Sequence, residues 1–383
     1  MNDAATEPVI ARKSPLDDTH NRLDALMKEH HGWSVPQSFG DELFEYAAVR
    51  ERGAGLMDLS SRGRFLVSGS EAVQFLNGLI TNDMKTLDQN RWMPAAFPNV
   101  QGRLIASVRV VRYKDGQTDK KPDPTFLLDT EATTHANVLK TTERFTLAGD
   151  FRVVDLTNVT ALLSVQGKRA AEIVRSVLGD SAAEIPRGGA AQCAWQQEQV
   201  TILHATHTGE DGFDLVVNAE QASTLWDALA NAGAQPVGDN AQDILRIEAG
   251  IPHYSKDMDE TNIVTEAGLD DSVSYTKGCY IGQEIIARIK YRGHVAKKLS
   301  GLIFEHAATL EEGVKIKSFD DKVIGRLTSA TYSPHLGRTI ALGYLKYDYL
   351  TPGTEVKVIS AAGELTARVA TLPFVGGSWY EGA

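Results

Sequence analysis

The pattern of apolar and polar positions changes character near residue 298. Before it, helical spacing and short apolar runs alternate irregularly. Helical spacing predicts a helix over residues 21–31, where Leu23, Leu26 and Met27 fall on one face. Further helices are predicted over 41–49, through Val73, Phe75, Leu76 and Leu79, and over 130–141, 168–178, 222–232 and 242–249. Apolar runs predict strands at 65–67, within 95–111 on either side of a turn at 99–103, and at 126–128, 151–155, 162–165, 200–204 and 213–217. Residues 33–40, with Pro36, read as a loop, and the charged stretch 114–124 as an exposed hairpin loop. Beyond 298, six short runs are separated by Gly or Asp turns: 299–304, 314–316, 323–330, 340–345, 356–359 and 365–369. That spacing predicts a small all-β barrel or sandwich.

Length and charge narrow the picture. A chain of 383 residues suits two or three domains. A net charge of −11 argues against general nucleic-acid binding, while leaving room for a local basic patch. The two cysteines, Cys193 and Cys279, stand in no C-x-x-C pair, so no zinc site or disulfide framework is indicated and a reducing compartment is the simplest reading. Residues 1–30 mix acids with bases and lack an apolar core, unlike a transit or signal peptide. No apolar run approaches the ~20 residues a membrane helix needs. The expectation is a cytoplasmic protein that engages neither membrane nor nucleic acid.

Four stretches could carry chemistry. In residues 277–284, Lys-Gly-Cys-Tyr-Ile-Gly-Gln-Glu, two glycines bracket Cys279 in what reads as a tight presenting loop. Lys277 and Arg288 nearby would favour its thiolate; a lone cysteine reads equally as a small buried hydrophobe. In 209–214, Asp214 follows a glycine turn at the start of a strand, where one carboxylate can accept two adjacent N–H donors. The same run also reads as an acid-rich turn. In 241–250, Gln242 and Arg246 share a helix face, and an arginine fork suits a carboxylate ligand. Residues 288–294 read as a strand with Arg288, Lys290, Arg292 and His294 on one face. This basic row suits an anionic ligand or acidic partner, or is a solvated strand face. The ten histidines show no metal-ligand spacing, and His30–His31 and His204/His207 read as solvent-exposed pairs. No phosphate-binding, dinucleotide, zincin or nucleophile-elbow motif is present.

Residues 277–284 resemble the signature of the YgfZ-type folate-binding proteins, relatives of the glycine-cleavage T protein that act in iron–sulfur cluster maturation. The similarity runs over about residues 41–374. It implies an α+β fold with two interleaved sub-domains around a central cavity, ending in a β-barrel. The implied divisions are 1–40 as an N-terminal extension and helix, 41–296 as the folate-binding region and 297–383 as the barrel domain. It implies tetrahydrofolate or a derivative as cofactor. Asp214 stands where T proteins use a glutamate to hold the pterin. Arg246 is the implied tail anchor, and Gln242 replaces an arginine of T proteins. Asn82, in the Asn-Asp that ends the first helix, and Arg288 join the implied cofactor contacts. The acid pair of T proteins falls on Ile105 and Ala106, which cannot move a proton. The resemblance therefore implies an accessory protein for assembly or repair of iron–sulfur clusters rather than an enzyme. Cys279, beside Lys277, would be a redox-active thiol or transient cluster ligand, with cluster-assembly proteins or client iron–sulfur enzymes as partners. Two alternatives stand beside it. One is a folate-dependent aminomethyl- or methyltransferase or demethylase drawing on Asp58, Asp83 or Asp214; the other is a ligand-free scaffold.

Overall fold

A computed structural model describes residues 11–114, 123–361 and 363–381. The predicted hairpin loop at 114–124 lies largely outside them. The chain opens with β1 (Arg12–Lys13), α1 (Asp17–Arg22), β2 (Leu26–His30) and β3 (Trp33–Ser38), the strands forming a sheet in the order β1-β3-β2. This corrects the helix expected over 21–31 and the loop over 33–40. Leu23 and Leu26 remain exposed, so their helical spacing has no core to face. Instead Asp24 takes φ 53°, and residues 26–30 pair with β3.

α2 (Glu42–Ala47) is capped by Asp41, whose side chain accepts from the amides of Leu43 and Phe44. β4 (Gly55–Asp58) follows, and β5 (Gly63–Ser68) enters a different sheet. That sheet is completed by β6 (Arg91–Pro98), β7 (Leu104–Arg112), β8 (Thr125–Thr130) and β9 (Arg152–Asp155), with α3 (Ala72–Leu79) and α4 (His135–Glu143) on its outer face. Its order is β6-β7-β8-β5-β9. β10 (Thr160–Gln166) then returns to pair with β4. α5 (Ala170–Leu178), α6 (Asp180–Ala183), β11 (Ala190–Trp195), β12 (Glu198–His204), β13 (Gly212–Asn218), α7 (Ala222–Asn231) and β14 (Gln235–Pro236) complete a six-stranded sheet, β11-β12-β13-β10-β4-β14. The two sheets thus interleave along the chain.

Strand alternation sends each sheet's side chains two ways. Outward, Leu163, Val165, Leu215 and Val217 pack with Ile173 of α5 and Trp226 of α7. On the other sheet, Val108, Val110, Phe126 and Leu128 pack with Leu76 and Val138. Inward, Met57, Leu162 and Val216 meet Val111 and Leu127 across the gap. Asp214, Arg109 and Asp129 share that inward parity.

α8 (Asp239–Glu248) ties these sheets to the rest: Leu245 joins the inner cluster, and Ile247 packs with Leu299, Ile340 and Leu342. α9 (Gln283–Arg292) replaces the strand expected at 288–294. Ile286 is buried against Leu104, Tyr254 and Tyr280, which holds the segment as a helix. Residues two apart then sit about 200° apart around the axis, so Arg288, Lys290 and Arg292 form no single row. Finally β15 (Lys297–Phe304), β16 (Lys315–Lys317), β17 (Val323–Ser333), β18 (Arg338–Lys346), β19 (Glu355–Ser360) and β20 (Gly363–Ala370) close a barrel in the order β15-β18-β17-β16-β19-β20. These are the six runs read from the sequence. Among the described residues no helix is long and apolar enough to cross a membrane.

Candidate functional site

Where the two sheets diverge they leave an open cavity enclosing about 920 Å³, part of it solvent. His207, Asp58, Arg62, Glu131, Gln242 and His253 are among its walls. Behind the wall, linking Arg62 to His207, runs a ladder of charges between the sheets. Arg62 donates to both oxygens of Asp129, at 2.8 and 3.0 Å. Arg109 Nε donates to Asp129 Oδ2 at 2.7 Å, and Arg109 Nη1 lies 2.5 Å from Asp214 Oδ2. His207 Nε2 is 2.9 Å from the same Asp214 oxygen. Both carboxylates are buried. Burial pushes the Asp214 carboxyl up, but the charges of His207 and Arg109 outweigh it and hold it well below the usual carboxylate range. Asp129 is likewise pushed up by burial and pulled down further by Arg109 and Arg62.

Local structure sets His207. Gly209 takes φ +77°, a left-handed angle that favours glycine, in the turn that brings residue 207 back over Asp214. Buried Gln166 accepts from the His207 amide at 3.0 Å and from the Thr208 hydroxyl at 3.2 Å. The expectation of exposed histidine pairs is therefore corrected. His204 is buried and bonded through Nε2 to Asp211 at 2.7 Å, and His207 lines the cavity. His30 and His31 sit at the cavity wall, ring centroids 4.2 Å apart, with His253 6.2 Å from His30. Burial, outweighing Asp239, depresses His30 to about 4. Among the described residues no group of His, Cys, Asp and Glu is arranged to hold a metal ion.

The named site residues divide into two sets. Gln242 and Arg246 line the cavity, and Asp214 lies behind its wall. Asp214 cannot offer two oxygens to a pterin, because Oδ2 is already shared by His207 and Arg109. Arg246 is held by Asp243 at 2.7 Å, by Asp257, by the Ile251 carbonyl at 3.2 Å and by Ser329 Oγ at 2.7 Å. Four of its five N–H donors thus join α8 to the following loop and the barrel, against the expectation of a tail anchor.

Asn82, Lys277, Cys279 and Arg288 lie away from the cavity wall. Asn82 donates to the carbonyls of Pro94 and Asp271. Lys277 is buried, and its ammonium donates to the carbonyls of Asn77, Ile80 and Asn82 at 2.7, 2.8 and 2.7 Å. That uses all three N–H groups and leaves none for Cys279. Burial brings its pKa down to about 8. At Gly282, φ is +77° and a Cβ would stand 2.3 Å from the Asn99 carbonyl, so the motif's second glycine lets the loop lie against the β6–β7 turn. The loop therefore clamps α9 onto the five-stranded sheet and leaves Cys279 exposed. Arg288 is exposed on α9.

Arg109, Asp129 and Gln166 are absent from the sequence-derived candidates, and His207 stands there only as half of an exposed pair. For the two charged residues the available signal was a charge inside an otherwise apolar strand, as in Val108-Arg109-Val110 and Leu127-Leu128-Asp129. Such residues are seldom buried unless paired.

Comparison with known proteins matches residues 16–277 to the GCVT N-terminal domain and 297–376 to the glycine cleavage T-protein C-terminal barrel domain. The chain belongs to the glycine-cleavage T-protein family. Full-length relatives in this family include the aminomethyltransferase of Halothermothrix orenii, 30% identical over 95% of this chain and 100% of that protein. Those of Symbiobacterium thermophilum (31%, over 95% and 97%) and a Synechocystis strain (30%, over 91% and 92%) are similarly related. The T-protein fold is shared with the glycine cleavage system aminomethyltransferase T of Bartonella henselae, at a TM-score of 0.87 and 23% identity, over 95% of this chain and 98% of that one. These likenesses place the chain in the T-protein family as a whole. They do not reach the YgfZ-type subdivision.

Proposed function

We propose that this T-protein family member binds a reduced folate in the cavity between its sheets and handles a one-carbon unit there, as a folate-dependent aminomethyl- or methyltransferase. The observation that carries the reading is the cavity itself, with His207 on its wall backed by the Asp214–Arg109–Asp129 ladder. The full-length relatives named aminomethyltransferase support an enzyme over an accessory role. The donor set suits a pterin. Thr133 Oγ1, on the cavity wall, is buried without a hydrogen-bond partner among the described residues. Orphaned buried polar atoms call for a ligand or water. When bound, the folate would supply a nucleophilic amine nitrogen that carries the one-carbon unit. Gln242 would hydrogen-bond a ligand carboxylate without neutralising it. Ile105 and Ala106 carry no titratable group, so proton handling falls to other cavity groups. Calorimetric titration with tetrahydrofolate is expected to give saturable binding. Absence of binding by the well-folded wild-type protein would refute the reading.

A second reading, the iron–sulfur accessory role, draws on one observation: Cys279 is exposed at the tip of a clamped loop. It predicts that Cys279→Ser lowers client iron–sulfur enzyme activity in cells while folate binding is unchanged. Unaltered client activity would remove it.

A further inference from the structure

We infer that His207 is the acid–base group of this cavity and Asp214 its positioning residue: Asp214 holds the imidazole as the Nε2–H tautomer, leaving Nδ1 to take up and return a proton at an amine nitrogen of the bound ligand. The inference rests on the folate reading above and names the group that does its proton chemistry.

Four observations carry it. His207 lines the cavity with its side chain partly exposed, whereas the Asp214 side chain is fully buried behind it. His207 Nε2 is 2.9 Å from Asp214 Oδ2, while its Nδ1 makes no hydrogen bond to a described residue. An imidazole anchored at one nitrogen by a carboxylate presents the other with a defined protonation state. The ring is held from the backbone side as well, through the Gln166 contact to the His207 amide. Lastly, Arg109 keeps Asp214 ionised, so the carboxylate steadies an imidazolium without taking its proton.

The alternatives are weaker. Asp58 lines the cavity, but its Oδ2 accepts from Ser14 at 2.6 Å and contacts His20 Nε2 at 2.8 Å. Glu131 Oε2 accepts from the Tyr254 amide at 2.9 Å and lies 3.2 Å from His253.

The test pairs spectroscopy with kinetics. In uniformly 15N-histidine-labelled full-length protein, with His207 assigned through His207→Gln, its ring is expected as the Nε2–H tautomer. Asp214→Asn is expected to lose that preference. Tetrahydrofolate should perturb the Nδ1 resonance. His207→Gln is expected to lower kcat for transfer from an aminomethyl donor by about 100-fold, with KM and the folate Kd within about threefold of wild type. A wild-type Nδ1–H tautomer, or a variant that loses folate affinity with kcat intact, would overturn the assignment and leave His207 a binding or structural residue. Wild-type protein that binds no folate would overturn the functional reading itself, and is told apart because it needs no variant.

Discussion

Arg109→Met is expected to destabilise the fold by about 3–5 kcal/mol, because it removes one partner of a buried ion network and leaves the others uncompensated. Arg109 is the rung that crosses between the sheets, Nη1 2.5 Å from Asp214 on β13 and Nε 2.7 Å from Asp129 on β8. Without it the only charged partner left to Asp214 among the described residues is His207, and to Asp129 is Arg62. Arg109→Lys keeps the charge but cannot reach two carboxylates with a planar fork, so a smaller loss is expected. The acid response sharpens the test. Asp214 and Asp129 have folded pKa values below their ordinary range. Their stabilising contribution is full above the unfolded value of about 3.9 and is lost as pH falls through the folded values. In the methionine variant the Arg109 charge is gone while His207 and Arg62 remain, so burial moves these pKa values up from their wild-type position. Wild type and variant should therefore converge in stability as the pH drops from about 6 to below about 4, where these carboxyls protonate. Urea midpoints across that range would show it, and parallel curves would mean that Arg109 does not control these carboxyls.

Glu248→Ala is expected to cost a similar 3–5 kcal/mol, by the same reasoning applied to a second buried network. Glu248, fully buried on α8, accepts from Arg50 at 2.8 Å, from Tyr46 at 2.9 Å and from Ser333 of the barrel at 2.5 Å. Arg50 also bonds Glu210 at 2.5 Å, and Glu210 accepts from the Ser378 amide at 2.8 Å. One carboxylate thus joins the helical entry, α8 and the barrel, and alanine orphans the Tyr46 and Ser333 hydroxyls while stripping Arg50 of one of its two carboxylates. Glu248→Gln keeps the shape and most acceptors while Arg50 retains Glu210, so its loss should be well under half as large. Equal losses for alanine and glutamine would place the effect in charge alone. Denaturation followed separately by Trp226 fluorescence and by a barrel-sited probe would show whether the barrel uncouples first.

These networks mark the limit of what the chain alone makes legible. The barrel strands were readable because each is short, apolar and closed by a turn, so local pattern and burial agree. α8 was readable because Ile244, Leu245 and Ile247 fall on its buried side at helical spacing. Local pattern failed where burial is decided elsewhere. Leu23 and Leu26 have helical spacing but stay exposed, and pairing with β3 makes 26–30 a strand. Residues 288–294 alternate like a strand, yet Ile286 docking against Leu104 and Tyr280 makes them the end of a helix.

The site divides the same way. The sequence by itself determined that Asp214 follows a glycine turn, that Gln242 and Arg246 share a helix, and that a tight glycine-bracketed loop carries Cys279. Only the tertiary structure decided what each one faces. Asp214 meets Arg109 from 105 positions away in the chain because two antiparallel sheets put their inward positions opposite one another. Arg246 is turned from ligand anchor to tie by Asp257 and Ser329, and Lys277 from thiol activator to helix clamp by three carbonyls. The physical reason is common to all of them. A charged side chain's role is set by the partner that compensates its burial, and that partner comes from a distant part of the chain.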